Sequence, residues 1–415
     1  MSRTRLSGIH ILVLAAVLLV GAPALAQVES QCPCDRNNDG DCEDILNTGP
    51  PADRYNEPNL ADSLGVQCMH LTGGDGFVTM ADGYPQYIFS FADLTGTPDG
   101  DVMEAGTLAH TFPAPAIAVD EGKEFYLSLT NVGMVIRPDL FDPHTVHFHG
   151  FPQSSTVFDG LPESGLSINM GATLTYYYNL VEPGTYMYHC HVEATEHMQM
   201  GMLGNLYVRP AQNGTPLGTC NGGSPCTQFA YNDGDGSTGY DVEVPLQLGS
   251  FDPDFHDASW FVQPLPFAMM WDRYPMINGR GYPDTVDPNP LSAPAENGGI
   301  VSQPESALIE ALQGDRILLR LSNLNITDVH TLSSPSIPME VVGIDAKQLV
   351  STTGELLYYT TNSVTMGGGM SADVILDTAG VAPGDYYLYA ANLQYLANFD
   401  EDEPTGGMMT KIVVQ

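Results

Sequence analysis

The stretch Gly122-Lys-Glu-Phe-Tyr-Leu-Ser-Leu-Thr-Asn131 recurs as Gly314-Asp-Arg-Ile-Leu-Leu-Arg-Leu-Ser-Asn323, with the same spacing from glycine to asparagine. A second pair, Met170-Gly-Ala-Thr and Met370-Ser-Ala-Asp, lies 200 positions apart. A repeat of this length indicates two domains of one ancestry that follow each other along the chain.

Short runs of β-branched and aromatic residues alternate with Gly, Pro and Asn turns from about residue 67 onward. Examples of these runs are Gln86–Phe91, Glu124–Thr130, Leu174–Leu180, Gly184–His189 and Asn205–Arg209. Helical periodicity of useful length is scarce, so the pattern predicts an all-β chain built from sandwiches. We place the two domains at 67–212 and 227–415, with a linker at 213–226 that is rich in Gly, Asn and Pro.

The N-terminus has the pattern of an export signal. Arg3 and Arg5 precede a short apolar run and the small residues Ala24-Leu25-Ala26. This pattern predicts a secretory signal peptide over 1–26 and a periplasmic or extracellular protein. No other segment is long and apolar enough to span a membrane. Residues 27–66 form an acidic, cysteine-containing extension.

An even number of cysteines remains when Cys190, which lies between two histidines, is set aside. In an exported chain these six predict disulfides. They are Cys32, Cys34, Cys42, Cys68, Cys220 and Cys226. Cys220 and Cys226 are the natural local pair, whereas the pairing of the four N-terminal cysteines stays open.

The extension also resembles the front of a calcium-binding loop. Asp35, Asn37, Asp39 and Asp41 have the spacing of its first ligands. Leu46 stands where the twelfth-position carboxylate is expected, so the pattern predicts either a weak calcium site or a polar turn.

The chain is strongly acidic, with 13 Lys and Arg against 50 Asp and Glu and a formal net charge of −37. A surface this negative argues against nucleic acid and anionic membranes as partners. A negative surface attracts cationic substrates or metal ions, although selection for solubility or for a salty habitat explains the same charge.

Six of the eleven histidines fall in two short windows, residues 144–150 and 189–197. Successive side chains of a strand point to opposite faces. His189 and His191 therefore share one face and Cys190 points to the other. By the same rule His147 and His149 share a face, and His144, three positions earlier, tends to point opposite. This alternation, called parity below, predicts two separate groups of metal-binding side chains.

The first group joins His144 and Cys190 to His197 and a methionine of the following loop. Two imidazoles, one thiolate and a weak axial thioether are the composition of a blue (type 1) copper site. The candidates for the axial position are Met198, Met200 and Met202. The second group, made of two His-x-His pairs, predicts a wall of imidazoles for one or more further metal ions; it comprises His147, His149, His189 and His191.

The string His-x-x-His-x-His-Gly at 144–150, followed by His-Cys-His…His…Gly-Met at 189–202, resembles the copper-binding domain of multicopper oxidases. The resemblance implies two tandem cupredoxin-like Greek-key β-sandwiches. It implies type 1 copper at His144, Cys190 and His197, and the Gly201-Met202 placement selects Met202 as axial ligand. It also assigns His147 to type 2 copper, and His149, His189 and His191 to type 3 copper.

The same resemblance implies a copper-dependent oxidoreductase that couples one-electron oxidation to reduction of O2. Metal ions such as Cu(I), Fe(II) or Mn(II) and small phenols are the candidate electron donors. The segment Ile277–Thr285 is similar to the opening of a second domain in this family. Trimeric two-domain relatives suggest a homotrimer.

The sequence departs from the family pattern. The gap from His191 to His197 is two residues longer than in laccases, and the type 1 domain comes first instead of last. The repeat aligns Cys190 with Ala390, so the second domain lacks the thiolate. The flanking and upstream histidines are also replaced, by Tyr389, Ala391, Ser333 and Pro335, and only His144 has a counterpart, His330.

A full trinuclear cluster needs eight histidines in this family, and this chain has no second His-x-His pair. Four histidines are left over outside the signal peptide: His70, His110, His256 and His330. They could complete the cluster across a subunit interface. One alternative is an enzyme of nitrite-reductase type, with a mononuclear type 2 copper and His330 or His256 as interface ligand. Another is a non-catalytic electron carrier or copper-binding protein with type 1 copper alone.

Overall fold

The computed structural model describes residues 28–32, 65–399 and 405–415. The predicted signal peptide and most of the extension lie outside these residues, and so do the candidate calcium ligands Asp35, Asn37, Asp39 and Asp41. None of the helices in the described part of the chain has the length and apolar character needed to cross a bilayer.

The first eight strands form two four-stranded sheets. Their bounds are β1 (Val66–Thr79), β2 (Pro85–Asp93), β3 (Ala114–Asp120), β4 (Glu124–Gly133), β5 (His147–Phe148), β6 (Thr173–Asn179), β7 (Gly184–His189) and β8 (Leu203–Arg209). One sheet has the order β2-β1-β4-β6 and the other β3-β8-β7-β5. The aromatic and aliphatic side chains between the two sheets form one buried core.

The remaining strands form a second, larger sandwich and a short hairpin. Their bounds are β9 (Gln228–Phe229), β10 (Gly239–Tyr240), β11 (Val242–Phe251), β12 (Tyr274–Ile277), β13 (Ile309–Ala311), β14 (Arg316–Asn323), β15 (His330–Ser333), β16 (Met339–Ile344), β17 (Lys347–Gln348), β18 (Tyr359–Thr361), β19 (Ser363–Met366), β20 (Met370–Asp377), β21 (Gly384–Ala390) and β22 (Met409–Val414). The order is β12-β11-β14-β20-β16-β17, with β18 on β16, in one sheet and β13-β22-β21-β15-β19 in the other. The predicted all-β class is confirmed.

Within the described residues, three short helices interrupt the strands: α1 (Val102–Ala105), α2 (Ala194–Gln199) and α3 (Pro253–Trp260). Helix α3 begins where the Asp252 side chain accepts a hydrogen bond from the backbone of Asp254, with Pro253 in the first turn. This is a favourable helix start, because the cap satisfies a free N–H and proline needs none. The helix packs on β2, so it joins the two domains.

The two sandwiches share one pattern of strand pairing, as the sequence repeat predicts. β1 runs parallel to β4 and β4 antiparallel to β6, while β11 runs parallel to β14 and β14 antiparallel to β20. In the other sheets, β7 with β8 corresponds to β21 with β22. The registers place Gly73 opposite Asn131 in the first domain and Leu248 opposite Asn323 in the second, so Gly73 and Leu248 are equivalent positions.

Two disulfides lie in the described residues. The predicted pair Cys220–Cys226 is present. Cys32 pairs with Cys68, a choice that the sequence leaves open, and it fastens the segment 28–32 to β1. Cys190 has no disulfide partner and is buried, as a metal-binding thiolate requires.

Candidate metal centres

The loop that joins β7 to β8 brings Cys190, His197 and Met202 together. Cys190 directly follows β7, and His197 lies in α2. The backbone N–H of Met202 donates to His197 O (2.8 Å), and that of Cys190 donates to Met202 O (3.1 Å). These bonds close the loop on itself, so three side chains reach one point from a single turn.

The first group predicted by parity is present as a compact, buried cluster. Cys190 Sγ lies 3.2 Å from His197 Nδ1 and 3.9 Å from His144 Nδ1. All three side chains are fully buried, and their ligand atoms lie within 4.8 Å of one another. A thiol and two imidazole nitrogens at this spacing fit a copper ion.

Met202 lies on the same side of this cluster as His144. A Cβ atom built on Gly73 would be 2.8 Å from His144 Cδ2 and 3.4 Å from Met202 Cε, so both side chains converge on that glycine. Met198 instead packs with the cluster around Phe112 at the domain boundary. This placement fits Met202 as the axial thioether better than Met198.

The electrostatics of this pocket favour a cation. Burial opposes a charge on His197, but the neighbouring Cys190 and Asp142 outweigh burial and raise the pKa of His197 to about 10. Burial holds the pKa of His144 well below its usual range, so this imidazole is neutral and its lone pair is free for a metal ion.

The second group consists of His147, His149 and His189, whose ligand atoms also lie within 4.8 Å of one another. The Nδ1 atom of each ring lies near a backbone carbonyl. The distances are 2.6 Å from His147 to Asp159 O, 3.3 Å from His149 to Gly369 O and 2.7 Å from His189 to Cys190 O. A neutral ring that donates Nδ1–H to a carbonyl presents its Nε2 lone pair to a metal ion.

The Nε2 atoms of His149 and His189 are 2.9 Å apart, and the ring of His147 stands beside both. Burial lowers the pKa of His189 to about 3 and also lowers the pKa values of His147 and His149. His191 lies next to His147, with ring centroids 4.9 Å apart, but outside the compact group. Parity therefore predicts the division of the histidines correctly, and three of the four converge.

The second domain forms part of the wall around these imidazoles. A cavity of about 600 Å³ is lined by His147 and His149 from the first domain and by Asp345, Gly369 and Ser371 from the second. The Asp345 carboxylate raises the pKa of His149, although burial has the larger, opposite effect. No sequence motif marks these three second-domain residues, so the sequence does not predict them.

The four histidines proposed to complete the cluster are all fully buried. His256, a candidate interface ligand, lies inside the protein: its Nδ1 is 2.5 Å from Tyr87 O and its Nε2 is 2.9 Å from Gln199 O, so both nitrogens face backbone carbonyls. His70 and His110 also contact neighbouring groups in the interior. The described residues therefore offer no additional surface histidine to a second copy of the chain.

His330, the other candidate interface ligand, is fully buried and occupies the place in the second domain that His144 has in the first. There, Ala390 N donates to Met408 O (2.9 Å) and Met408 N to Tyr395 O (2.7 Å), repeating the bonds among Cys190, Met202 and His197. The thiol is thus replaced by a methyl group and the second imidazole by the Tyr395 ring, which contacts His330. The fully buried Leu248 takes the place of Gly73.

A third set of ligand atoms lies on the solvent side of the type 1 candidate. Asp142, Glu193 and His197 have ligand atoms within 4.8 Å of one another. Asp142 Oδ2 is 3.9 Å from His197 Nε2, and that nitrogen has no hydrogen-bond partner. His197 is completely covered, whereas Glu193 is exposed and Asp142 partly so.

Known proteins match both parts of the chain. Multicopper oxidase family models match residues 92–213 and 271–415. Laccase abr2 of Aspergillus fumigatus is 35% identical over 123 residues, which are 29% of this chain and 19% of that protein. Multicopper oxidase MmcO of Mycobacterium tuberculosis is 33% identical over 93 residues, 22% of this chain and 17% of that protein. The chain spans less than a quarter of the length of these two relatives in the matched regions.

Solved structures share the fold over most of the chain. A blue copper oxidase from Nitrosomonas europaea superposes with a TM-score of 0.59 and 24% identity, over 84% of this chain and 86% of that one. A copper nitrite reductase from the same organism gives a TM-score of 0.56 and 17% identity, over 84% and 94%. These likenesses confirm the tandem cupredoxin-like fold. The two family-model matches, which together cover more than half of the chain, establish that it belongs to the multicopper oxidase family.

Proposed function

We propose that this protein is a copper-dependent oxidoreductase that takes single electrons from a metal ion or a small organic reductant and passes them to O2. The observation that carries the proposal is the peptide bond between His189 and Cys190. It connects the two groups of candidate ligands covalently, because His189 belongs to the three-imidazole group and Cys190 to the thiol group.

The two groups suit two different tasks. Copper, when bound, supplies one-electron redox chemistry. His144, Cys190, His197 and Met202 would hold it in a buried pocket that excludes water, which favours electron transfer without ligand exchange. His147, His149 and His189, with His191 beside them, would hold copper next to a cavity that a small acceptor can enter.

The geometry around His197 favours a cationic electron donor. His197 is completely buried, so a phenol cannot stack on or bond to its ring. Asp142 and Glu193 bridge the ring to solvent, and a carboxylate pair binds a metal ion more readily than an uncharged organic molecule. The net charge of −37 adds long-range attraction for cations.

One observation favours a second candidate, reduction of nitrite at a mononuclear type 2 copper. The three imidazoles whose ligand atoms converge are enough for one ion with an open position. Apart from His191, the remaining histidines of the described residues are buried elsewhere, which supports a centre with fewer than eight histidine ligands. A centre smaller than trinuclear is therefore part of our proposal, whichever acceptor it serves.

Copper content and acceptor use test these proposals together. About two or three coppers per chain with O2 consumption would support the oxidase, and about two with nitrite turnover would support the second candidate. A single copper that is blue and inert to both acceptors would refute both and support an electron carrier. In the control variant Cys190→Ser, the blue colour and turnover with either acceptor should disappear, while copper at the imidazole group remains.

We further propose that the protein is exported and forms a homotrimer. The two disulfides support an oxidising compartment, since they persist there and are rare in the cytosol. Fractionation of the native host tests the periplasmic or extracellular location, and light scattering tests the trimer.

A further inference from the structure

A segment of the second domain covers the loop that carries three of the type 1 ligand candidates. The segment follows β11 and contains α3 and residues 261–273. Trp260, Leu265 and Met270 pack against the hydrophobic cluster that includes Cys190 and Met202. The ligand loop of the first domain is therefore sandwiched between its own sheet and the second domain.

Gln199 is the residue of this loop that the second domain holds. It is the last residue of α2, two positions after His197 and three before Met202, and it is buried. Its backbone carbonyl faces Nε2 of His256 at 2.9 Å, and its side-chain amide donates to Asp272 Oδ1 at 3.1 Å. Both ends of one residue are thus fixed by side chains from the other domain.

His256 of the second domain lies between two parts of the first domain, strand β2 and the end of helix α2. Its ring lies between Gln199 O and Tyr87 O of β2. The carbonyl of a last helical residue has no partner within its own helix, so the Nε2–H tautomer of His256 would cap α2. β2 also contacts the loop directly, since Phe89 N donates to Met200 O at 3.0 Å.

Asp272 is a rigid anchor for the other end of Gln199. Its Oδ2 atom accepts hydrogen bonds from Ser250 Oγ at 2.7 Å, Asn325 Nδ2 at 2.8 Å and Thr327 Oγ1 at 2.6 Å. These three donors leave Oδ1 to Gln199. A buried carboxylate with all its bonds made cannot rotate away without leaving donors unpaired, so the anchor position is strongly determined.

We propose that His256 and Asp272 are positioning residues for the type 1 site and fix His197 and Met202 by holding Gln199 between them. The inference rests on the proposed type 1 copper, because it assigns these residues a role in tuning that centre. Groups that contact the ligand-bearing backbone set the distance and orientation of the ligands, and through them the affinity and reduction potential of the metal.

Two variants remove the two contacts separately. His256→Phe keeps a ring of similar size and loses the contact with the Gln199 carbonyl, and Gln199→Leu keeps the backbone and loses the bond to Asp272. His330→Phe is the matched control, since His330 is an equally buried histidine of the second domain whose ring contacts Tyr395 and not Gln199. Copper affinity by chelator competition, the electron paramagnetic resonance spectrum, the reduction potential and the melting temperature are measured for each.

We expect both variants to bind type 1 copper about 10- to 100-fold more weakly. The hyperfine splitting and the potential of the copper that remains should also differ from wild type, and neither should change in the control. Variants that melt earlier but keep the wild-type spectrum, potential and affinity would overturn the proposal and leave His256 and Asp272 a purely structural role. If His256→Phe does not fold, Gln199→Leu decides. Failure of the wild type to form a blue centre would refute the proposed function itself, which is a distinguishable result.

Discussion

Gly73 is the position where a single added methyl group tests the type 1 site most directly. In Gly73→Ala the new Cβ would meet His144 Cδ2 at 2.8 Å and Cγ at 3.2 Å, and Met202 Cε at 3.4 Å. Ordinary contacts between carbon atoms lie at about 3.5–4.0 Å. The imidazole must therefore retreat by roughly 0.7–1.2 Å, because the β1 backbone is held between β2 and β4.

A displacement of this size is large for a metal ligand, since productive sites are held to within about 0.5 Å. Overpacking of a filled core also costs about 1–3 kcal/mol of folding free energy. We expect the Gly73→Ala protein to bind type 1 copper about 10- to 100-fold more weakly, which corresponds to about 1.4–2.8 kcal/mol. Its blue absorption should weaken, whereas copper at His147, His149 and His189 should be retained.

The assay compares copper titrations, visible spectra and unfolding of the copper-free proteins with those of Gly249→Ala. Gly249 lies in β11, next to Leu248, and a Cβ there meets no atom within 4 Å. This control should match the wild type in copper binding. A Gly73→Ala protein with wild-type blue colour and copper affinity would refute the placement of His144 and Met202 at one ion.

Three further predictions concern the donor, acid and copper removal. Asp142→Asn with Glu193→Gln should raise KM for a divalent metal-ion donor about 5- to 10-fold in steady-state kinetics and leave an uncharged donor unaffected, because about 1 kcal/mol of attraction is lost; equal effects on both donors would contradict a cation site. Burial lowers the pKa values of His110, His256 and His330 from 6.5 to about 4. Below pH 6.5 these histidines take up protons in the unfolded chain but not in the folded one, so the free energy of unfolding falls as the pH drops from 6.5 towards 4. Each histidine should cost roughly 2 kcal/mol at pH 5, and His330→Phe should make urea unfolding less pH-dependent, whereas an unchanged pH slope would contradict this burial effect. Removal of copper by a chelator should lower the free energy of unfolding by about 2.7 kcal/mol relative to protein in copper at 100 times its Kd, and an unchanged melting curve would argue against binding to the native state.

Local rules account for the parts of the site that the sequence predicts. The period of two along a strand separates Cys190 from His189 and His191, and the structure divides them in the same way. The repeat predicts that Cys190 corresponds to Ala390. The strand registers agree: His147 pairs with His189 in the first domain, and Ser333 pairs with Tyr389 in the second. The next residues along the chain, Cys190 and Ala390, are therefore equivalent.

Contacts between the domains account for what the sequence does not predict. His149 contacts the carbonyl of Gly369, 220 positions away, and a backbone oxygen carries no sequence signal. His256 is a candidate ligand by residue type alone, and only the packing of α3 on β2 reveals that both its nitrogens face backbone carbonyls inside the protein. The pairing of Cys32 with Cys68 likewise depends on how residues 28–32 lie against β1.

The filled core of the second domain has two consequences. It leaves no room for metal ligands there, and it makes the second domain a rigid support for the first. Leu248, Ala390 and Tyr395 fill the space that Gly73, Cys190 and His197 keep for a metal ion. A core filled in this way is close-packed and resists displacement, so the elements built on it are rigid. β11 carries Ser250 and leads into α3, and through Asp272 and His256 it holds the ligand loop of the first domain. A domain with an open metal pocket at this place would lack these packing contacts and would support the ligand loop less rigidly.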